Sequence, residues 1–512
     1  LRTCVLIGEL DGMVPWATDI GNAYLEAVTS EKVCIRAGPE FGELEGHLLI
    51  IYKALYGLRL SGKLFGQLLQ ECLRDLGFEP SLAESTIYMR KCPTADHYEY
   101  VATYVDDLCM IMKDPQSLLD QLMAPPYNFK LKGSGELAFH LGCGFQRDST
   151  GTLCMDPGKY VERMEEAYVQ HFKTKPIQRE RSPLQKGDHP ELDTSPFLND
   201  DDKEIYMSLV GSAQWSISIG RFDIQSAIMT MSKFRSAPRR GHLDRMKRVI
   251  GYLCKFKHYK IRFRVDEPDY SNVPGIKNHD WEHSVYGKHE EDIPMNAPPP
   301  LGKRIVLTHY FDASLMHDVL SGKAVTGVCT FYQKTPVDWF CKQQSTSETA
   351  TYGAEFLSGR KVCEKIIDHR AYLRYLGKPV YEMDYVWGDN ESMINSSTIP
   401  DSKLHKRHNI LSFHFVRSMI SRGYINMLHI ETKYNFADIL TKHWGYQGTY
   451  YELIQPVFHH IGNTAALFLD DLLEVDVSVN VDELEFGILG SERTLPQPQD
   501  GTLVVGQTKV QV

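Results

Sequence analysis

No run of about 18 apolar residues occurs in the chain, which argues against a membrane-spanning helix. No Cys-x-x-Cys pair occurs among the eleven cysteines, an odd number scattered along the sequence. Neither a disulfide framework nor a zinc site is therefore indicated, and reduced core thiols in an intracellular protein are the expectation. A signal peptide is missing too, and the first residue is Leu1 rather than Met, as expected of a fragment or a processed product. What is present is ordinary for a globular protein: 42% apolar and 24% charged residues over 512 positions. That length has room for roughly two to four domains with proper cores.

Charge is unevenly distributed. Residues 463–512 hold nine acidic and two basic residues, so this tail supplies −7 of the net −10. Within the rest, residues 233–264 ("KFRSAPRRGHLDRMKRVIGYLCKFKHYKIRFR") carry twelve Lys or Arg against one Asp. Such a block, interleaved with Tyr252, Phe256, Tyr259 and Phe263, is the footprint of a surface that follows phosphates. Arg239, Arg240, Lys247, Arg248, Lys255 and Lys257 are its candidate nucleic-acid contacts. The spacing of Met246, Val249, Ile250 and Leu253 reads equally as a core stripe, and both readings hold if the stripe faces inward.

Patterning places a strand, polar turn and short helix over 14–28 and an amphipathic helix over 61–77, with Ser61 as its N-cap. Short strands follow near 137–147 and 152–156, then a helix over 158–171 and helical patterning over 204–258. Residues 266–303 lose periodicity and end in "NAPPPLGK", a linker signature. A new α/β pattern runs from Ile305 to about Gly462. The acidic tail is expected to be poorly ordered or to form a partner-bound element.

In "EYVATYVDDLCMIMKD", residues 99–114, Tyr100, Ala102 and Tyr104 share one parity before Asp106 and Asp107, and Leu108, Met110 and Met112 follow, which reads as strand, tight turn, strand. Turn chemistry alone accommodates an Asp pair. Adjacent carboxylates also suit a divalent cation with oxygen ligands. Upstream, "WATDIGNAYLEA" ends an apolar strand at Asp19, either an N-cap of the next helix or a third carboxylate for the same pocket. Three such groups can hold two Mg²⁺ ions roughly 4 Å apart for phosphoryl transfer. Five residues on, the ring of Tyr24 is placed to close off the 2′ side of a sugar.

"DIGNAYLEA", "ALYGLRLSGKLFGQLL" and "YVDDL", in this order, resemble the reverse transcriptase of copia-type LTR retrotransposon Pol polyproteins. "LAFHLGCGFQRDSTGTLCMDPGKYVERM" and "YMSLVGSAQWSISIGRFDIQSAIMTMSKFRSAP" extend the likeness over nearly all of residues 14–265. The resemblance implies an α+β fold: a right-hand polymerase domain of palm and thumb, followed by an α/β RNase H-like domain. It implies Asp19, Asp106 and Asp107 as metal ligands, with Tyr24 and Tyr104 at the nucleotide and Tyr24 rejecting ribonucleotides. The second pattern resembles the same family's RNase H: "YFDAS" supplies Asp312, "TYGAEF" Glu355, "WGDNES" Asp389 and "NFADILTK" Asp438. Asp312 and Asp389 end apolar strands and Glu355 sits on a helix, an arrangement that can gather four carboxylates around two metals. "HKRHNILSFHFVR" also fits the family; His405, Lys406, Arg407 and His408 read as contacts to the hybrid or as a solvated loop. His408 is alternatively an aid to product release, and His414 reads as a core histidine.

The implied domains are 1–156, a palm with partial fingers; 157–265, a basic thumb and connection; 266–303, a linker; 304–462, RNase H-like; and 463–512, the acidic tail. The implied cofactor is Mg²⁺, two per site, with Mn²⁺ as substitute. Implied partners are an RNA template, a DNA primer, the RNA–DNA hybrid, dNTPs and other Pol and Gag products of the element, without a membrane. The implied location is the cytoplasm, in a virus-like particle, or the nucleus. Where the family carries Gln, a small residue, Pro and Arg after "LYGLK", this chain has Leu60, Gly62 and Lys63 in "LYGLRLSGKLF". RNA-directed DNA synthesis with ribonuclease H activity is the expected function. The alternative is a catalytically inactive retroelement remnant, acting only as a nucleic-acid-binding or scaffold protein.

Overall fold

The computed structural model describes residues 1–443 except 30, 272, 274–278, 288, 405 and 406, and beyond 443 only 453–454, 456–459, 502–505 and 508–511. Two compact units result. The first comprises Leu1–Leu141, Ile293–Arg304 and Arg370–Val380; the second comprises Gly142–Asp292, Ile305–His369 and Tyr381–Val512.

In the first unit, α1 (Arg2–Asp11) leads into β1 (Val14–Ile20), a 3₁₀ turn at Ala23–Glu26, and the small hairpin β2 (Cys34–Arg36) and β3 (Leu48–Ile50). Then come α2 (Ser61–Asp75), β4 (Glu79–Pro80), β5 (Ile87–Lys91), β6 (Tyr98–Tyr104), β7 (Asp107–Met112), α3 (Pro115–Met123), β8 (Leu131–Glu136) and β9 (Phe139–His140). An antiparallel sheet forms in the order β4-β5-β6-β7-β1-β8. Both of its faces are covered, which explains why β6 and β7 are almost wholly apolar. Val101, Leu108, Met110 and Met112 pack with Phe65, Leu69 and Leu73 of α2 and Leu118 and Leu122 of α3. Each such side chain contributes about 1.5–3 kcal/mol on burial. On the other face α1 lies so close that a Cβ on Gly8 would sit 2.6 Å from Cγ2 of Ile111. The later segments close this unit: Lys378 pairs with Asp11 at 2.8 Å with both side chains buried, and Tyr100 donates its hydroxyl to the Leu376 carbonyl at 2.6 Å.

α2 keeps the expected stripe, but its N-cap is Leu60. Ser61 instead donates its hydroxyl to the Leu55 carbonyl at 2.6 Å, fixing the loop before the helix.

The second unit contains β10 (Cys143–Arg147), β11 (Leu153–Asp156), α4 (Gly158–Phe172), α5 (Asp200–Ser218), α6 (Gln225–Met231), α7 (Arg240–Lys255) and β12 (Lys260–Arg262). A five-stranded sheet follows, built from β13 (Leu307–Asp318), β14 (Lys323–Tyr332), β15 (Thr335–Gln343), β16 (Asp384–Gly388) and β17 (Ile425–His429) in the order β15-β14-β13-β16-β17. The first three strands are antiparallel, whereas β16 runs parallel to β13 and β17. α8 (Thr351–Tyr375), α9 (Glu391–Thr398) and α10 (Ile410–Ser421) bury Phe356, Val362, Ile366, Met393, Phe413 and Val416 with Phe311, Val328 and Val386. The one-turn helix α11 (Asp438–Thr441) sits against β14 at Gly327, where a Cβ would meet the Thr441 side chain at 2.5 Å.

All eleven cysteines are free, and nine are buried. Among the described residues no helix is long and apolar enough to cross a membrane. The acidic tail lies outside the described residues except for a two-stranded ladder, Thr502–Val505 with Thr508–Gln511.

Candidate active sites

Sheet register assembles the first carboxylate group. Asp19 on β1 stands opposite Asp107 on β7, and Tyr104 on β6 stands opposite Asp107 from the other side. The Ile20 amide donates to the Asp106 carbonyl at 2.9 Å, tying the hairpin tip to β1. Val105, at the turn, has φ 59. That left-handed conformation costs a β-branched residue on the order of 1 kcal/mol or more and sets the direction of the Asp pair. Burial, then Asp106, raises the Asp19 carboxyl above its ordinary value, while Lys132 across the β1–β8 ladder opposes the rise. Burial, then Asp106 and Asp19, raises Asp107 likewise. Tyr24 packs against Tyr56 at 4.6 Å between ring centroids and against Phe65 at 6.3 Å. Its hydroxyl lies 3.6 Å from where Gly62 would carry a Cβ. Tyr104 is 53% exposed.

The second group is more tightly drawn. Asp312 on β13, Asp389 just after β16 and Asp438 at the start of α11 each offer an oxygen within 4.8 Å of the others. Among the described residues this is the only cluster of three or more acidic, His or Cys ligands so converged. The parallel pairing of β13 with β16 brings the end of β16 beside Asp312 in the middle of β13, and α11, packed on β13, carries Asp438. Asp312, Glu355 and Asp438 are buried. Burial, then Asp312, pushes Glu355, Asp389 and Asp438 above their ordinary values. The Oε2 of Glu355 is buried without a hydrogen-bond partner. Crowded hard-oxygen donors with such an orphaned atom fit a divalent cation, whose charge relieves both penalties.

Two residues not singled out from sequence complete this site. Lys442 sets its Nζ 2.6 Å from Oδ2 of Asp438 and 4.0 Å from Oδ2 of Asp312. Burial works against its charge, yet Asp312 and Asp438 hold the ammonium above its ordinary value. Thr441 donates its hydroxyl to Asp312. The signal was present in "NFADILTK", where Asp438 and Lys442 stand four apart, the spacing of a helical ion pair.

The basic block is largely engaged within its own unit. Arg245 pairs with Asp188 and Asp193, Arg248 with Glu180, and Lys257 with Glu162 at 3.2 Å. Lys247 lies 3.7 Å from Asp244 and 4.5 Å from the Phe172 ring centroid. Arg239 stacks over Phe197 at 3.9 Å and donates to the Ser195 carbonyl, while Lys255 lies 5.9 Å from the centroid of Phe256. Arg240 is exposed, with Asp202 3.6 Å away. Tyr252, Phe256, Tyr259 and Phe263 are buried, as are Met246, Val249, Ile250 and Leu253, so stripe and aromatics alike are core.

His405 and Lys406 lie outside the described residues. Arg407 is exposed on a 3₁₀ turn, and His408 meets Glu348 with Nε2 2.8 Å from Oε2. His414, expected in the core, is instead exposed on α10. Its Nδ1 lies 2.5 Å from the Tyr286 hydroxyl, because the helix turns its apolar face through Phe413 and Val416.

Residues 4–176 match a family profile described as reverse transcriptase (RNA-dependent DNA polymerase). The chain is thus similar to reverse transcriptases over its N-terminal third and to copia-type Pol polyproteins over 83% of its length. It is 23% identical over 426 residues to the retrovirus-related Pol polyprotein from transposon RE1 of Arabidopsis thaliana, covering 83% of this chain and 26% of that protein. With the Pol polyprotein from transposon TNT 1-94 of Nicotiana tabacum, identity is 22% over 436 residues, covering 83% and 29%. The chain therefore spans about a quarter of the length of these curated relatives. Among solved structures, LC11-RNase H1 isolated from compost aligns at TM-score 0.22 and 18% identity over 27% of this chain and 92% of its own. The foamy viral protease–reverse transcriptase in complex with RNA/DNA hybrid aligns at TM-score 0.23 and 10% identity over 85% and 68%.

Proposed function

We propose that the chain is the RNA-directed DNA polymerase and ribonuclease H portion of a copia-type Pol polyprotein. The observation that carries this is the convergence of Asp312, Asp389 and Asp438 beside the orphaned Oε2 of Glu355. Bound there, Mg²⁺ or Mn²⁺ supplies Lewis acidity and a nucleophilic water for an RNA phosphodiester. Asp312, Asp389, Asp438 and Glu355 would hold the ions. Thr441 fixes the Asp312 carboxylate through its hydroxyl, and Lys442 offsets negative charge at Asp438 and Asp312. Burial keeps bulk water from screening these charges.

In this reading residues 1–156 are a palm with partial fingers, 157–265 a thumb and connection, 266–303 a linker, 304–462 the ribonuclease domain and 463–512 an acidic tail. Asp19, Asp106 and Asp107 are the polymerase ligands, with Tyr24 and Tyr104 at the dNTP. Their oxygen donors suit the same ions, but they are not among the groups converged within 4.8 Å. Arg239, Arg240, Lys247, Arg248, Lys255, Lys257, His405, Lys406, Arg407 and His408 belong to the hybrid path, Arg240 and Arg407 being exposed. RNA template, DNA primer and other Gag and Pol products are the partners, in a cytoplasmic virus-like particle or the nucleus. A second reading, a retained fold without polymerase chemistry, is favoured only by that looser first site.

The test is cleavage of a labelled RNA–DNA hybrid with Mg²⁺ by the chain and by Asp312→Asn. Cleavage lost in the variant supports the assignment. No cleavage by a folded chain moves it to the inactive remnant.

A further inference from the structure

A cavity of about 440 Å³ opens in the second unit beside the converged carboxylates. Its lining includes Lys186, His189, His317, Lys442 and His443, with Met316 and Val319 as apolar wall. Lys442 links it to the metal-binding residues, and Ser314, also on the wall, lies two residues beyond Asp312 on β13. The volume falls in the range of about 300–1,000 Å³ typical of small-molecule sites. It has room for one nucleotide.

The segment carrying Lys186 and His189 is fixed at this wall. The Gly187 amide donates to the His443 carbonyl at 3.1 Å. Glu191 accepts from the Val319 amide at 3.0 Å and from Nδ1 of His189 at 3.0 Å. A carboxylate can only accept, so His189 donates from Nδ1, and its Nε2 is the donor left for a phosphate in the imidazolium form. Asp188, the acidic residue of the lining, is engaged by Arg245 through a bidentate pair of 2.9 Å contacts. Its charge therefore does not oppose an anion. His317 and His443 both place Nε2 within 3.4 Å of the Thr230 hydroxyl, with rings 4.6 Å apart. Two lysines, an oriented imidazole and a wall of apolar and imidazole surface are the donor set for a phosphate carrying a planar base.

We infer that this cavity is a subsite for one nucleotide of the RNA strand flanking the bond cut at the carboxylates, with Lys186 and His189 as its phosphate contacts. The inference rests on the ribonuclease reading of the adjoining site. The residues from 186–189 lie more than a hundred positions before Asp312, so the segment upstream of the ribonuclease sheet contributes to its substrate specificity.

Two measurements on the full chain separate this inference from that reading. Adenosine 3′- and 5′-monophosphate are titrated without hybrid, with adenosine as control, into wild type, Lys186→Ala and His189→Gln. Saturable binding of a monophosphate, weakened at least fivefold in Lys186→Ala and not shared by adenosine, supports the subsite. Because Lys186 is exposed, its loss leaves the fold intact. Equal binding in wild type and both variants, or none in wild type, overturns it. Steady-state hybrid cleavage is the second readout: KM is expected to rise at least fivefold in Lys186→Ala with kcat within twofold. An unchanged KM in a cleaving enzyme overturns the subsite and leaves the ribonuclease standing. Absence of cleavage alongside phosphate-dependent binding removes the ribonuclease and keeps a nucleotide site.

Discussion

The two carboxylate groups differ in how far the fold commits to them. On the first sheet, Asp19, Asp106 and Asp107 gather at a hairpin tip, half-exposed, with Lys132 across the ladder as a counter-charge. In the second unit, three oxygens lie within 4.8 Å among buried neighbours, and Lys442 contacts one carboxylate directly. The hairpin tip can relax in water, where an exposed carboxylate pair costs little. The buried cluster cannot, so its repulsion persists until a cation or a proton relieves it.

The largest expected effect sharpens this contrast at the level of chemistry. Asp312→Asn should lower Mg²⁺-dependent hybrid cleavage by about 10³-fold or more while melting at or above the wild-type temperature without metal. Next comes Lys442→Met. Removing the ammonium that opposes the rise at both Asp389 and Asp438 should destabilise the metal-free chain by roughly 2–4 kcal/mol in urea unfolding. Saturating Mg²⁺ should restore most of the loss. No loss would show the cluster to be as relaxed as the hairpin tip.

The pH response has a definite sign. Asp438 and Glu355 have folded-state values raised above the unfolded ones, by burial and by Asp312. Their protonated forms therefore favour the fold at low pH, and that contribution is lost as pH rises through the raised values. Metal-free wild type should lose stability as pH rises from the ordinary carboxylate range through the raised values, and Asp438→Asn should flatten that decline. Smallest of all, Asp106→Asn should shift unfolding by under about 0.5 kcal/mol, as for an ordinary surface change. A shift as large as that of Lys442→Met would erase the distinction between the sites.

Local signals were legible in the sequence. Period-two patterning located the Tyr98–Tyr104 and Asp107–Met112 strands, and helical spacing located the Phe65–Leu73 face of α2. Asp389 was readable because it follows an apolar strand; Asp312 was read as a strand end, whereas β13 continues past it to Asp318, and Asp438 came through the family resemblance. What spacing could not give was tertiary pairing. The acids that engage Arg245, Arg248 and Lys257 lie 52 to 95 positions away, so a block of twelve cations read as more open than it is. Lys442 was visible as a letter but its partner Asp312 was not. His414 was misplaced because one histidine in an apolar helix says nothing about which side of the helix faces the core. The His189, His317 and His443 wall joins three distant stretches, and no local pattern marks it.

Metal binding compares the two sites most directly. Mn²⁺ is titrated, by electron paramagnetic resonance, into the wild-type chain, Asp438→Asn and Asp106→Asn. The account predicts that the tightest ion disappears in Asp438→Asn and survives in Asp106→Asn. Loss in Asp106→Asn with retention in Asp438→Asn would contradict it, placing the preformed metal site at the hairpin.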